Sequence, residues 1–226
     1  MVLQGCSVLS PRPGAEPAAA VTTEDQPAFS LEVKAPDSVR DTLERHLELQ
    51  RFRLLPDLQN EELRRLLHAA DANARELLGT LGYFSPTIAI ELREAAAPQP
   101  PYAVTITVEP GPQTRVTQAD IRLTEGAETE PDARVRQLQR VESNWSLPAG
   151  SPFTQGAWSE AKSSGLRQLQ VRSYPTASIA SSRAEVDADT HEAKLAVTYD
   201  PGPPYRFGPL QLRGSPRSEP DGARRL

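Results

Sequence analysis

The chain has 226 residues and a formal net charge of −5, with 25 Lys plus Arg against 30 Asp plus Glu, a balance that gives no reason to expect nucleic-acid binding. One cysteine, Cys6, excludes an intrachain disulfide and a cysteine-based zinc site. The length allows one large domain or two to three small ones; a hydrophobic share of 38% is enough for small cores but thin for one large core, and proline, at 22 against 13 glycines, is the outlier.

Residues 1–27 bear several prolines, no aromatic residue and no periodicity. Such a segment buries too little apolar surface to offset its ordering entropy and reads as a disordered arm. Phe29 to Lys34 alternates apolar and polar residues, the period of a half-buried strand. After Pro36, Asp37 or Ser38 is placed to cap a short helix that lines up Val39, Leu43 and Leu47. A longer helix is predicted from Asn60, its expected N-cap, with Glu61 and Glu62 in its first turn. Leu63, Leu66, Leu67, Ala70, Ala74, Leu77, Leu78 and Leu81 form its apolar stripe, and Gly82 ends it. Ile88, Ile90 and Leu92 then alternate with polar or small residues, as do Val104, Ile106 and Val108, which predicts an antiparallel pair.

The same order returns. At an offset of about 91 residues, Tyr83 falls on Tyr174, Ile88 on Ile179, Glu94 on Glu185 and Thr107 on Thr198. Pro110-Gly111-Pro112 falls on Pro201-Gly202-Pro203, and Arg115 on Arg206. The second copy takes its first strand from Val116, Ile121 and Leu123. Its helices are expected over Pro131–Glu142, with Val135, Leu138 and Val141 on one face, and over Gln155–Val171, with Trp158, Ala161, Leu166 and Leu169 inward. Ser178–Val186 and Lys194–Tyr199 close it, and Gly165 weakens the second helix. Tyr205–Arg213 reads as the opening strand of a third copy. The organisation is thus an arm at 1–27, units at 28–111 and 112–202, and the start of a third unit with a tail at 203–226. On this reading the chain is a fragment of a longer protein.

No catalytic constellation stands out. His46, His68 and His191 lack metalloenzyme spacing, and there is no nucleophile elbow or phosphate-binding glycine loop. His46 and His68 read as helix-surface residues. Asp187, Asp189, His191 and Glu192 fill a hairpin loop, where polar residues are expected without a metal. No cofactor, metal or catalytic residue is therefore assigned, and a small periplasmic enzyme or metal binder is the weaker alternative. Val2-Leu3-Gln4-Gly5-Cys6-Ser7 looks like the end of a lipoprotein signal lacking its apolar stretch, which makes Cys6 a candidate lipidation site.

Certain segments carry a family resemblance. They are Leu47-Glu48-Leu49-Gln50-Arg51-Phe52-Arg53, the run Ala74–Pro86 containing Leu81-Gly82-Tyr83-Phe84, Val108-Glu109-Pro110-Gly111-Pro112, and Pro201-Gly202-Pro203-Pro204-Tyr205-Arg206-Phe207-Gly208. With them, residues 28–213 resemble the POTRA domains of Omp85-superfamily outer-membrane proteins, most of all the TamA-like subfamily. The resemblance implies an α+β fold of tandem β-α-α-β-β units, each a three-stranded mixed sheet covered on one face by two helices. It also implies a periplasmic scaffold at the outer membrane, in front of a C-terminal β-barrel. The implied partners are a TamB-like inner-membrane-anchored protein and unfolded outer-membrane client chains, autotransporters among them. A BamA-like or two-partner secretion arm is the alternative within the fold.

An exposed strand edge recruits an extended chain through its backbone, the mode called β-augmentation. In POTRA domains the second strand lies at an edge. Pro86 and Pro175 suit the entry to such a strand. The candidate docking edges are Thr87, Ile88, Ala89, Ile90 and Glu91 in the first unit. In the second they are Thr176, Ala177, Ser178, Ile179, Ala180, Ser181 and Ser182. Small side chains at Ala89, Ala180 and Ser182 leave room for close approach.

Overall fold

The computed structural model describes residues 27–55, 58–96, 100–125, 131–171, 174–205 and 208. The elements of the first unit are β1 (Phe29–Lys34), α1 (Asp37–His46), a short 3-10 turn (Glu48–Phe52), α2 (Asn60–Thr80), β2 (Thr87–Glu94) and β3 (Tyr102–Glu109). The second unit has β4 (Arg115–Leu123), α3 (Pro131–Ser143), α4 (Gln155–Gln170), β5 (Ser178–Asp187) and β6 (Glu192–Asp200). Each unit builds one three-stranded sheet, ordered β1-β3-β2 and β4-β6-β5. The pair β1–β3 is parallel and β2–β3 antiparallel, and β4–β6 and β5–β6 repeat this. The expected α+β architecture of tandem mixed sheets with helices is therefore the observed one.

Strand alternation explains why the centre strand is the driest. Val104, Ile106 and Val108 of β3 are buried, and Ala193, Leu195, Val197 and Tyr199 of β6 take the same role. Leu63, Ala70, Ala74 and Leu78 are the buried positions of α2, falling on its sheet-facing side at helical spacing. Burying a leucine of this kind contributes about 1.5–3 kcal/mol. Phe29, Val39 and Leu43 complete the first core, and Trp145, Trp158, Leu169 and Tyr199 dominate the second.

Several expectations need correction in detail. Asp37 and Asn60 are the first residues of α1 and α2, and neither helix has a side-chain cap bond. The Asn60 side chain instead accepts from Arg64 Nε at 3.2 Å. The capped helix is α4, where Thr154 Oγ1 accepts from the Ala157 amide at 3.0 Å. Val135 is 53% exposed rather than inward, so α3 turns its apolar contact to the later residues, of which Val141 is completely enclosed. Gly165 is a packing requirement more than a weakness: a Cβ there would collide with the Tyr199 hydroxyl, which donates to the Lys162 carbonyl at 2.9 Å. The expected arm, Cys6 and most of the expected third-unit strand lie outside the described residues.

Candidate functional site

In both sheets the second strand of the unit is an edge strand: β2 borders only β3, and β5 borders only β6. Along β2 the side chains of Ile88, Ile90 and Leu92 turn toward the helix layer and pack partly on the core. Thr87, Ala89, Glu91 and Arg93 alternate with them on the other face, and all four are exposed. α2 stands off from this edge far enough to leave a groove of about 460 Å³, lined by Arg64, Leu67, His68, Asp71, Ile88, Ile90 and Leu92. Its floor is aliphatic and its rim charged. Arg75 fixes one end, because its guanidinium pairs with Asp71 at 2.8 Å and donates to the Pro86 carbonyl at 3.0 Å. That bridge ties α2 to the entry of β2.

The candidate edge residues Thr87, Ile88, Ala89, Ile90 and Glu91 all fall on β2. In the second unit the placement shifts. Thr176 and Ala177 precede β5 and are not part of the edge. The Ala177 amide donates to the Tyr174 carbonyl at 2.9 Å and its own carbonyl accepts from Gln170 Nε2 at 2.9 Å. These turn bonds and the burial of Ala177 in the core hold that segment off the sheet. Ser178, Ile179, Ala180, Ser181 and Ser182 lie on β5, but the ladder slips between Ile179 and Ser181, so Ala180 is the extra residue of a bulge. From Ser181 to Asp187 the pairing is regular.

The walls also differ between the units. At the 91-residue offset the position of Asp71 is held by Lys162. Lys162 Nζ lies 4.9 Å from the centre of the Trp158 ring and donates to Ser182 Oγ at 3.4 Å, so its stem crosses the seam between α4 and β5. Where the first unit has an open apolar trough, the second has a lysine strapped over it.

The α2 wall of the groove is not evident in the sequence. The leucine periodicity groups Leu67 with the core stripe and leaves His68 to solvent, yet both line the groove. The only sequence signal is the width of the apolar stripe, eight positions of which just four are fully buried. The β5–β6 turn holds the acidic loop residues weighed as metal ligands. There Asp187 Oδ1 accepts from the amides of Asp189 and Thr190 at 2.9 and 3.2 Å, and these bonds, Thr190 first, hold its carboxyl below the usual range. Among the described residues no group of three or more His, Cys, Asp or Glu is arranged to hold a metal, and no helix is long and apolar enough to cross a membrane.

The family model described as POTRA domain, TamA domain 1, matches residues 30–110. Those residues are a TamA-type POTRA domain. The second unit repeats the topology of the first, with sheet order β4-β6-β5 matching β1-β3-β2. We call the first unit POTRA 1 and the second, which shares its topology, POTRA 2. Solved structures of similar shape include POTRA3-5 of BamA from Haemophilus influenzae, at 19% identity over 88% of this chain and 76% of that chain, with a TM-score of 0.40. POTRA1-2 of the periplasmic domain of Omp85 from Anabaena is similar at 12% identity over 78% of this chain and 94% of that chain, with a TM-score of 0.37. CdiB from Escherichia coli is similar at 15% identity over 82% of this chain but only 29% of that chain, with a TM-score of 0.30.

Proposed function

We propose that this chain is the periplasmic docking arm of a TamA-like outer-membrane assembly factor, with POTRA 1 over 28–111 and POTRA 2 over 112–202. It binds unfolded outer-membrane clients or a TamB-like partner in extended form. The observation that carries this reading is the groove of about 460 Å³ that runs beside the unpaired edge of β2. An incoming strand hydrogen-bonds along β2 and places every second side chain between β2 and α2. Backbone bonding supplies tolerance of sequence. The aliphatic floor selects alternating apolar residues, and the charged rim discourages a uniformly apolar chain. The edge of β5, which includes Ser178 to Ser182 and is regular from Ser181 onward, is the second docking edge. Nothing in this mode requires a catalytic residue or a cofactor.

The test is a titration with a labelled eight-residue peptide of alternating valine and threonine, and with two versions N-methylated at alternate amides, one for each parity. Two or three main-chain hydrogen bonds at about 1 kcal/mol each amount to a loss of about 30-fold or more for the parity that faces β2. The other parity loses much less. Ala89→Pro, checked for folding by circular dichroism, weakens the unmodified peptide in the same way. Equal affinity for all three peptides rules out edge pairing.

A further inference from the structure

The two edges meet at the joint between the units. Ser85, two residues before β2, donates from Oγ to the carbonyl of Ala188, the residue after β5, at 2.7 Å. β5 therefore ends where β2 begins. β5 runs toward the joint and β2 runs away from it, so the two strands follow one another with the same polarity.

The contacts at the joint direct their free sides toward the same flank. β3, the centre strand of POTRA 1, leads through 110–114 into β4, while the entry of β2 lies against the β5–β6 turn. The Arg115 amide at the start of β4 donates to the His191 carbonyl of that same turn at 3.0 Å. Across the joint, β3 thus stands opposite β4, and β2 stands opposite the end of β5. The step from β3 to β2 and the step from β4 through β6 to β5 point the same way. The joint is tightly made. The Gly82 carbonyl accepts from the Thr114 amide at 2.9 Å, the Thr114 carbonyl accepts from the Phe153 amide at 2.8 Å, and Gln113 Nε2 donates to the Leu81 carbonyl at 2.9 Å. Phe84 reaches across to the second core, with its ring centre 6.1 Å from that of Phe153.

We infer that β5 and β2 act as one interrupted edge that takes a single extended polypeptide across the joint. This rests on the edge docking proposed for the arm. The occupant is an unfolded chain of alternating apolar and polar residues. It pairs with Thr87–Glu94 on one side of Ser85 and with Ser181–Asp187 on the other, in the same orientation on both. At about 3.3 Å per residue the span calls for roughly 20 residues in one extended run. The bulge at Ala180 sets the far limit on β5, because the register of the ladder shifts there. The groove of POTRA 1 provides the side-chain grip. The β5 end has Ala184 and Val186 facing its core and charged Arg183, Glu185 and Asp187 on the open face, so it adds mainly backbone bonding.

The experiment uses the whole chain and a continuous 20-residue peptide of alternating valine and threonine, spin-labelled at its N-terminus or at its C-terminus. Amide resonances near Glu94 and near Ser181 are followed by paramagnetic broadening, and the stoichiometry and affinity by titration. The expected result is one peptide per chain, with one label broadening only the Glu94 end and the other only the Ser181 end. The 20-residue peptide binds at least about tenfold more tightly than the eight-residue one, since its second half docks at high effective concentration. Two peptides per chain, or both labels broadening β2 alone, overturns the bridging while leaving single-edge docking intact. No shift at either edge with any peptide removes the docking reading itself.

Discussion

Gly82 and Gly150 have the same backbone angle, φ +89, and very different surroundings. A Cβ at Gly82 would collide with the Phe153 carbonyl oxygen, which is backbone and cannot swing aside, whereas a Cβ at Gly150 meets nothing within 4 Å. Both Gly→Ala substitutions carry the left-handed penalty of about 1–2 kcal/mol. That penalty is partly offset by about 0.4–1 kcal/mol from a stiffer unfolded chain. Gly82→Ala must in addition push the Phe153 carbonyl away, and the Phe153 amide then loses its bond to Thr114. One such bond with its buried partners is worth about 1–3 kcal/mol. Thr114 is fully enclosed, so water does not readily replace the lost partner. Urea unfolding followed by the two tryptophans, Trp145 and Trp158, reports POTRA 2 directly. Gly82→Ala is expected to cost about 2–4 kcal/mol and Gly150→Ala about 1 kcal/mol or less. Equal costs for the two variants refute the claim that the units are pressed together at this glycine.

Two further outcomes test the core of POTRA 2. Gly165→Ala, in a helix where alanine is ordinarily better by about 1 kcal/mol, is expected to destabilise instead, because the new methyl displaces the Tyr199 hydroxyl; combining it with Tyr199→Phe should recover part of the loss in the same urea experiment. Burial pushes Tyr199 up to about 12 from an ordinary 10.0. A raised folded value means that its contribution is complete below pH about 10 and is lost as pH climbs through about 12. The melting temperature of the parent chain should fall across that window more steeply than that of Tyr199→Phe, and parallel profiles would contradict the burial argument.

The order of elements was legible because each strand alternates and α2 repeats its leucines at helical spacing. The edge position of β2 was legible as well, from Pro86 and from the resemblance to POTRA domains. What escaped was tertiary. The run Thr176-Ala177-Ser178-Ile179-Ala180-Ser181-Ser182 has no strong alternation, so nothing in it marks the turn at Ala177 or the slip at Ala180. The 91-residue offset itself conceals the slip: Ile88 pairs with Val108 as Ile179 pairs with Tyr199, but the next rung pairs Ala89 with Thr107 and Ser181, not Ala180, with Thr198. Val135 sits at a helical spacing that ought to face inward, and only the path of α3 past the sheet decides that it does not. The groove beside β2 depends on how far α2 stands from the strand, a distance no local pattern encodes. Gly165 looks like a local cost within its helix, and its partner Tyr199 lies on another element.

The Pro-Gly-Pro segments have one more property. Gly111, at φ +71, approaches the carbonyl oxygen of Ser85, where a Cβ would lie 3.2 Å away; Gly202, at φ +64, lies against the side chain of Thr176. Ser85 and Thr176 are themselves 91 residues apart. Each unit therefore carries both halves of its own exit bend, the glycine and the surface it leans on, within one sequence block. A duplication or loss of one block moves the bend together with the domain it belongs to. An arm of this kind can be lengthened or shortened by whole blocks, each bringing its own glycine and the surface that glycine lies against.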